Sequence, residues 1–430
     1  MCRAEGQTPS PYDGRQRACT GRERLVVLDV VRGVAVLGIF FMNVPFMGNT
    51  IFWQADPRLL GWSSMDRATF AFLDIFLDGT QRGLFQILFG ASIMLLTRAI
   101  MRPDGPVEVA DRYFRRYIWL FAFGLIDVFA VSWDGDILHP YAIGALFLFP
   151  FRKLQPGQLL TLGLSFALAT SVLGGIKYAE RTSLQKAVAS AEVARERRLE
   201  LTPTQSAEIE IWSNLSAAAP PRTELDDERQ AHANGAAATW TWLRQAWFGL
   251  QRDDWFTVGW IAESIPTMLI GMALFGWGAT QGERSTRFYA CLAIAGYAFG
   301  VSLRGLDLSQ LMTFTPVPRI GWIMGEPARL SITVAHLALI NLTLKAGFGR
   351  WLLRPFAAAG RMAFSLYFVE SILGIWVLFS TTGFNLWGRF GWAGLTVISV
   401  GVAALLLLVA NLWMRAFKMG PLERLWRSLI

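Results

Sequence analysis

The segment "WDGDILHPYA" places two aspartates and a histidine inside a strongly hydrophobic part of the chain. Histidine suits general-base chemistry because its ordinary pKa lies near neutral pH. A carboxylate that binds one ring nitrogen can orient the other nitrogen toward the proton of a hydroxyl or an amine. Asp136 and His139, with Asp134 beside them, are therefore predicted catalytic residues. The alternative is an interfacial histidine that simply ends a loop before a proline.

A second charged pair lies in "RLVVLDVVRGVAVLGIFF", near the start of the first apolar run. Asp29 and Arg32 are three residues apart, so both lie on one face of a helix. One interpretation is a structural salt bridge at the membrane edge. The other is an arginine that binds an anionic group, such as a phosphate or a carboxylate, from the cytoplasm. The residues alone leave both interpretations open.

The elements that carry these residues are apolar helices. Of the 430 residues, 53% are hydrophobic and 17% are charged, whereas soluble domains have roughly 25% charged residues. About 20 apolar residues cross a bilayer as a helix. The composition therefore predicts an all-α, polytopic helical membrane protein with about ten transmembrane helices. The predicted spans are 25–47, 70–101 (broken near Gly79), 113–132, 137–151, 158–176, 256–279, 287–303, 329–346, 356–381 and 392–414.

Arginine and lysine set the predicted orientation. They concentrate in the loops and tails that are cytoplasmic if both termini are inside, as the positive-inside rule requires. The net charge of +8 is thus explained by topology, and no nucleic-acid partner is expected. The three cysteines are not spaced for a metal or a disulfide framework, and no metal site is predicted.

The chain divides into four predicted parts. A cytoplasmic tail covers residues 1–24, a first membrane half of about five spans covers 25–176, and a second covers 256–430 with a cytoplasmic C-terminal tail. Between the halves lies a polar, helical insertion at 177–255, which the orientation places in the periplasm. We interpret this insertion as a cap or lid rather than an independent domain.

Several ionisable side chains fall at similar depth in the outer half of the predicted spans. Because each costs at least a few kcal/mol in a bilayer, their common depth predicts a polar cavity that opens outward. Asp78, Arg82, Asp127 and Glu370 are the candidate substrate-binding residues of this set. Alternatively the groups only pair to hold helices together, with Asp78 and Arg82 as an i,i+4 pair. The full set is Asp74, Asp78, Arg82, Asp127, Asp134, Asp136, His139, Glu263, Arg304, Glu326 and Glu370.

Several motifs resemble a known family. "LDVVRGVAVLGIFFMNVPF" is similar to the opening of the YeiB-like bacterial inner-membrane proteins, a family of unknown function. "LFQILFGASIML", "WDGDILHPYAIGALFLF", "AAAGRMAFSLYFVES" and the terminal "MGPLERLWRSL" agree in the same order. The resemblance covers about residues 24–430 and is least evident in the insertion. It implies a multi-pass protein of the bacterial inner membrane.

That family is in turn distantly similar to heparan-α-glucosaminide N-acetyltransferase and other transmembrane acyltransferases. The resemblance implies acyl-CoA as a possible donor, with Asp29 and Arg32 in the first-span motif on the donor side. It also places Asn43 where the relatives carry catalytic polar groups. Those acyltransferases place a key histidine at or just after the first span. This chain departs from that pattern, since residues 1–138 contain no histidine. Either His139 or a carboxylate substitutes, or the acyltransferase chemistry has been lost.

Three hypotheses for function follow. The chain could be a membrane acyltransferase that moves an acyl group from cytoplasmic acyl-CoA to an envelope glycan or lipid. It could instead transport a small molecule or anion through the same polar cavity. A third hypothesis is a non-catalytic membrane assembly factor that works through the insertion. The lipid bilayer is a partner in all three.

Overall fold

Every regular element is a helix in the parts of the chain that the computed structural model describes, residues 21–98, 108–216, 222–253 and 256–430. The predicted all-α class is confirmed, while most of the predicted N-terminal tail falls outside the described residues. The helices are α1 Gly21–Gly48, α2 Ser64–Phe72, α3 Thr80–Arg98, α4 Glu108–Ile126, α5 Leu138–Leu148, α6 Pro156–Glu196, α7 Pro203–Ser216, α8 Arg222–Ala233, α9 Ala236–Asp253, α10 Phe256–Gly276, α11 Thr286–Leu311, α12 Gly321–Lys345, α13 Gly347–Leu353, α14 Phe356–Arg361, α15 Ala363–Ile372, α16 Trp392–Ala416 and α17 Pro421–Leu429.

Six of these helices are long and apolar enough to cross a membrane, within the described residues. They belong to α1, α6, α10, α11, α12 and α16, and a shorter apolar helical segment runs over Ala363–Phe379. The protein is therefore built as a multi-pass membrane protein. The count of about ten spans and the cytoplasmic position of both termini stay predictions.

Helix α1 runs through the bundle and packs against α3, α14, α15 and α16. Its contact with α14 depends on two glycines that face each other. A Cβ added to Gly33 would lie 2.0 Å from the carbonyl oxygen of Phe356, and one added to Gly360 would lie 1.8 Å from that of Asp29. The two backbones therefore touch directly, and this fixes Asp29 and Arg32 beside α14.

Three helices contain π-helical turns, at Leu73–Leu77, Asp127–Val131 and Leu373–Phe379. An acidic residue lies inside the first two, and another lies just before the third. π-turns insert an extra residue into a helix and occur often at functional sites. The predicted second span breaks at Gly79, whose φ of 65° is accessible to glycine without strain.

The insertion is helical and begins as a continuation of a membrane helix. Helix α6 runs without interruption over Pro156–Glu196, although the predicted span ends at residue 176. Three shorter helices, α7, α8 and α9, follow. Helix α9 packs on the bundle, where Nε1 of Trp240 donates to the carbonyl of Phe129 at 3.3 Å. The limits 177–255 of the insertion stay a prediction.

Candidate functional site

Asp136 and His139 form a buried hydrogen-bonded pair at the start of α5. Oδ2 of Asp136 lies 2.7 Å from Nδ1 of His139 and accepts the backbone N–H of His139 at 2.9 Å. Because a carboxylate only accepts, we assign the ring proton to Nδ1. Nε2 then carries a lone pair, which accepts from the hydroxyl of Thr257 on α10 at 3.1 Å. This arrangement is that of a carboxylate-oriented general base.

A tyrosine from α15 completes the surroundings of Asp136. The hydroxyl of Tyr367 donates to Oδ1 of Asp136 at 3.1 Å and accepts the backbone N–H of Ile137 at 3.0 Å. Asp136 is 0% exposed. Helix α4 approaches the pair through Gly124, where a Cβ would lie 2.4 Å from the backbone nitrogen of His139. Four segments of the chain therefore hold the pair in place.

Two further acids are buried around the same helices. Oδ2 of Asp127 accepts from the hydroxyl of Ser371 at 3.2 Å. Oδ1 of Asp127 and both carboxyl oxygens of Glu370 have no hydrogen-bond partner among the described residues. Neither acid lines either of the two cavities described next, and the substrate-binding role of both stays a prediction.

The first cavity, the large cavity, has a volume of about 840 Å³. Its mouth carries exposed or half-buried cations, and its inner wall contains the buried side chains of Leu88, Leu138 and Tyr367. The large cavity therefore leads from a basic rim to Tyr367, the residue whose hydroxyl binds Asp136. The cations of the rim are Arg32, Arg116, Arg361, Lys418 and Arg427.

Two local interactions shape the rim. NH1 of Arg32 donates to Oδ1 of Asp29 at 3.2 Å, so the first-span pair forms and also lines the large cavity. Helix α17 is anchored by Glu423, whose carboxylate accepts from the backbone N–H of Phe364 at 2.8 Å and from that of Ser365 at 3.2 Å. This contact satisfies free N–H groups at the start of α15 and holds α17 as a wall of the cavity.

A second cavity, the small cavity, has a volume of about 300 Å³ and a strongly charged lining. Six of the eleven residues predicted to share one depth meet there, namely Asp74, Asp78, Arg82, Glu263, Arg304 and Glu326. The suggested Asp78–Arg82 pair does not form. Arg82 instead binds Glu263 on α10 through two bonds of 3.0 and 2.8 Å. Asp78 lies before the break at Gly79 and outside α3, so the i,i+4 geometry of a helix does not bring it to Arg82.

The lining of the small cavity is held by a network of buried polar side chains. Arg329 donates to Glu326 at 2.7 and 2.6 Å and to Thr267 at 2.7 Å. Gln86 joins this network to Tyr141 through a bond of 3.0 Å. Tyr141 packs against Phe89, which lines the large cavity. Gln86 and Tyr141 therefore lie in the wall between the two cavities.

The insertion covers the bundle at the end of α1 opposite to Asp29. Glu228 of α8 accepts from the hydroxyl of Thr50 and from the backbone N–H of Ile51 at 3.0 Å. Burial, with a smaller contribution from the charge of Asp134, raises the pKa of Glu228 to about 7. His232 stacks on Trp387 at a centroid distance of 4.2 Å, and burial lowers the pKa of His232 to about 4.

The two remaining predicted residues lie apart from the pair. Asp134 is 6% exposed and contributes to the electrostatic environment of Glu228. Asn43 is half-buried within α1 and lines neither cavity. The structure thus brings Asp136 and His139 together and leaves Asp134 and Asn43 outside their hydrogen bonds.

The chain is similar to proteins whose activity has not been described. Residues 274–430 match the family described as "Protein of unknown function (DUF418)". "Uncharacterized protein YxaH" of Bacillus subtilis (strain 168) is 26% identical over 412 residues, 94% of both chains. "Uncharacterized protein YeiB" of Escherichia coli (strain K12) is 26% identical over 418 residues, 95% of this chain and 96% of the relative. The predicted resemblance to the YeiB-like proteins, a family of unknown function, is confirmed. No solved structure matches the chain.

Part of the candidate site could not be predicted from the sequence. Tyr367 and Thr257 look like ordinary polar residues of apolar helices, and their contacts with the pair span 231 and 118 residues. Arg329 offered a signal, because it follows Glu326 by three residues and both can lie on one helical face. Their spacing predicts the ion pair between Glu326 and Arg329, but it does not predict the small cavity that this pair lines.

Proposed function

We propose that the chain is a membrane acyltransferase. It binds an acyl donor with an anionic headgroup in the large cavity and transfers the acyl group at the Asp136–His139 pair. One observation carries the proposal: the large cavity extends from a rim of cations to Tyr367, and the hydroxyl of Tyr367 binds the carboxylate that orients His139.

Acyl-CoA has the chemistry that suits this cavity. Its phosphates match a rim of arginine and lysine, which bind phosphate through charge-assisted hydrogen bonds. Its acyl chain matches an inner wall made of Leu88, Phe85 and Leu138. The volume of about 840 Å³ lies within the range of roughly 300–1,000 Å³ that is usual for small-molecule sites. With both termini in the cytoplasm, the rim faces the compartment that holds acyl-CoA.

The pair supplies base and acid for the transfer. The hydroxyl oxygen of an acceptor attacks the thioester carbon, and its proton passes to Nε2 of His139. The tetrahedral intermediate then collapses, the C–S bond breaks, and Nε2 returns the proton to the CoA thiolate. Asp136 stabilises the positive imidazolium between these steps and keeps its orientation. The products are an acylated acceptor and free CoA.

The acceptor enters from the opposite end of the bundle. His139 lies beneath α9, and the ring of Trp247 is 6.5 Å from its imidazole. If the insertion is periplasmic, the acceptor is a component of the cell envelope, such as a glycan or a lipid headgroup of the inner membrane. The insertion then acts as the lid over the acceptor side of the pair.

Binding of acetyl-CoA to the purified full-length protein tests the proposal. Acetyl-CoA should raise the melting temperature, because a ligand that binds only the folded state stabilises it. Replacing the exposed rim cations Arg361 and Lys418 by alanine should weaken binding about tenfold or more. Arg115→Ala is the matched control, since Arg115 is an exposed arginine of α4 that does not line the cavity. Absence of any shift at millimolar acetyl-CoA would refute the proposal.

A transporter remains the second candidate, favoured by the small cavity. Its lining holds four arginines and five acids, and only the Gln86–Tyr141 wall separates it from the large cavity. A molecule that passed this wall would cross the bundle. Flux of a small anion into proteoliposomes that is abolished by Arg82→Ala, without CoA release, would support transport over acyl transfer.

A further inference from the structure

The insertion presents one face of α9 to the candidate base. Trp247 and Gln251 are four residues apart, so their side chains lie on the same face. The ring of Trp247 packs edge-on against His139 at 6.5 Å. Oε1 of Gln251 accepts the backbone N–H of Thr257 at 3.2 Å, and the hydroxyl of the same Thr257 lies beside Nε2 of His139. This face of α9 therefore covers the nitrogen that would take the proton.

Both side chains hold a buried N–H without an acceptor. Nε1 of Trp247 and Nε2 of Gln251 have no hydrogen-bond partner within the described parts of the chain. Buried polar groups are nearly always hydrogen-bonded, and leaving one unsatisfied costs free energy. Trp240, on the same helix, shows the ordinary case, since its indole N–H donates to the carbonyl of Phe129. Two free donors on one face beside a base indicate a ligand that supplies oxygen lone pairs.

We propose that Trp247 and Gln251 bind oxygen atoms of the acceptor and thereby select an alcohol over an amine. This inference rests on the proposed acyl transfer. A hydroxyl oxygen has two lone pairs, so it accepts an N–H with one and attacks the thioester carbon with the other. Its single proton points at Nε2 of His139. A neutral amine has one lone pair, which it needs for attack, and its N–H groups would face the donors of α9.

The two donors also act on the reaction itself. A donor that binds one lone pair of the acceptor oxygen holds the other lone pair toward the thioester carbon and the hydroxyl proton toward Nε2 of His139. Such orientation of the reacting groups lowers the barrier to attack. The insertion thus contributes hydrogen-bond donors to the site in addition to covering it. Without the insertion, the acceptor would lose the hydrogen bonds from Trp247 and Gln251.

Two matched probes test the alcohol preference. With full-length protein in lipid nanodiscs, acetyl-CoA is offered with 1-octanol or with octylamine, and the release of CoA thiol is followed. Transfer to 1-octanol should be at least about tenfold faster than to octylamine. Trp247→Phe removes the indole N–H, and Gln251→Glu removes the amide NH2 group while it keeps the oxygen that accepts from Thr257. Each should lower the rate with 1-octanol by about tenfold or more.

Gln245→Glu is the control, because Gln245 is an exposed residue of α9 and receives the same change of side chain. Equal rates with both probes, or variants that transfer as fast as this control, would overturn the inference and leave acyl transfer standing. If the wild type transfers acetyl to neither probe, the proposed acyl transfer fails, and the melting temperatures with and without 1-octanol then decide the inference. A rise in melting temperature with 1-octanol that is lost in Trp247→Phe and Gln251→Glu would support the inference. No rise in the wild type, or a rise that both variants keep, would reject the inference.

Discussion

The carboxylate of Asp136 accepts hydrogen bonds from three groups in two distant parts of the chain. Nδ1 and the backbone N–H of His139 reach one oxygen, and the hydroxyl of Tyr367 reaches the other. These bonds compensate for the loss of water around a carboxylate that is 0% exposed, since a buried charge is tolerated only when it is well hydrogen-bonded. They also fix which nitrogen of His139 faces Thr257.

Replacing Asp136 by asparagine tests the role of this carboxylate. The amide has one acceptor atom and one donor group, so it cannot accept from both His139 and Tyr367. The imidazole is then free to move its proton to Nε2, which removes the base. We expect CoA release to fall about a thousandfold or more, as when a triad aspartate becomes asparagine. The thermal unfolding of Asp136→Asn should be measured beside the rate, to show that the bundle still folds.

Asp134→Asn is the matched control for Asp136→Asn. Asp134 also precedes His139 and is nearly as buried, but no hydrogen bond joins it to the imidazole. Its variant should keep a rate close to that of the wild type. If Asp134→Asn proved more harmful than Asp136→Asn, the assignment of the orienting carboxylate would be wrong.

Sequence spacing finds the local part of this site and misses the rest. Asp136 precedes His139 by three residues, so their nearness in sequence predicts this pair, and helical geometry predicts the pair of Asp29 and Arg32, which have the same spacing. Tyr367 and Thr257 reach the site from other helices across 231 and 118 residues. Nothing in the spacing of one sequence encodes such long-range contacts, because they depend on how whole helices pack.

At the scale of helices, the close approach of α1 and α14 positions the rim of the large cavity. Gly360→Ala would place a methyl group 1.8 Å from the carbonyl oxygen of Asp29, so the two helices must separate. Overpacking of this kind costs about 1–3 kcal/mol or more in the free energy of unfolding. We expect a lower melting temperature, together with weaker binding of acetyl-CoA because Arg32 moves with α1.

Gly401→Ala distinguishes this effect from the general influence of glycine in helices. A Cβ at Gly401 of α16 meets nothing within 4 Å, and alanine favours a helix over glycine by up to about 1 kcal/mol. Gly401→Ala should therefore unfold at the same temperature as the wild type or slightly above it. Equal melting temperatures for Gly360→Ala and Gly401→Ala would show that the α1–α14 contact is not tight.

Hydropathy predicts that a helix is present better than it predicts where the helix ends. Hydropathy predicts that the fifth span ends at residue 176, because Lys177 begins a polar stretch, yet α6 continues to Glu196. The residues after 177 are good helix formers, so the helix leaves the predicted membrane span without ending. The π-turn at Asp127 likewise has no signature in apolar periodicity.

At the scale of the whole molecule, the insertion docks on the bundle through groups that titrate in opposite directions. Burial raises the pKa of Glu228 to about 7, so docking favours its protonated form. That contribution is fully present below a pH of about 4.5 and is lost as the pH rises through 7. Burial lowers the pKa of His232 to about 4, so docking favours the neutral imidazole. Its contribution is present above about 6.5 and is lost as the pH falls through 4.

The two losses run in opposite directions across the same range of pH. We therefore expect the docking of the wild-type insertion to change little between pH 4 and pH 7. Glu228→Gln should leave only the histidine effect, so docking strengthens as the pH rises. His232→Gln should leave only the glutamate effect, so docking weakens as the pH rises. Hydrogen exchange of α8 and α9, corrected for the intrinsic pH dependence of exchange, measures both slopes. Parallel profiles for the two variants would mean that these side chains do not govern docking, because only opposite slopes can arise from an acid and a base buried at one interface.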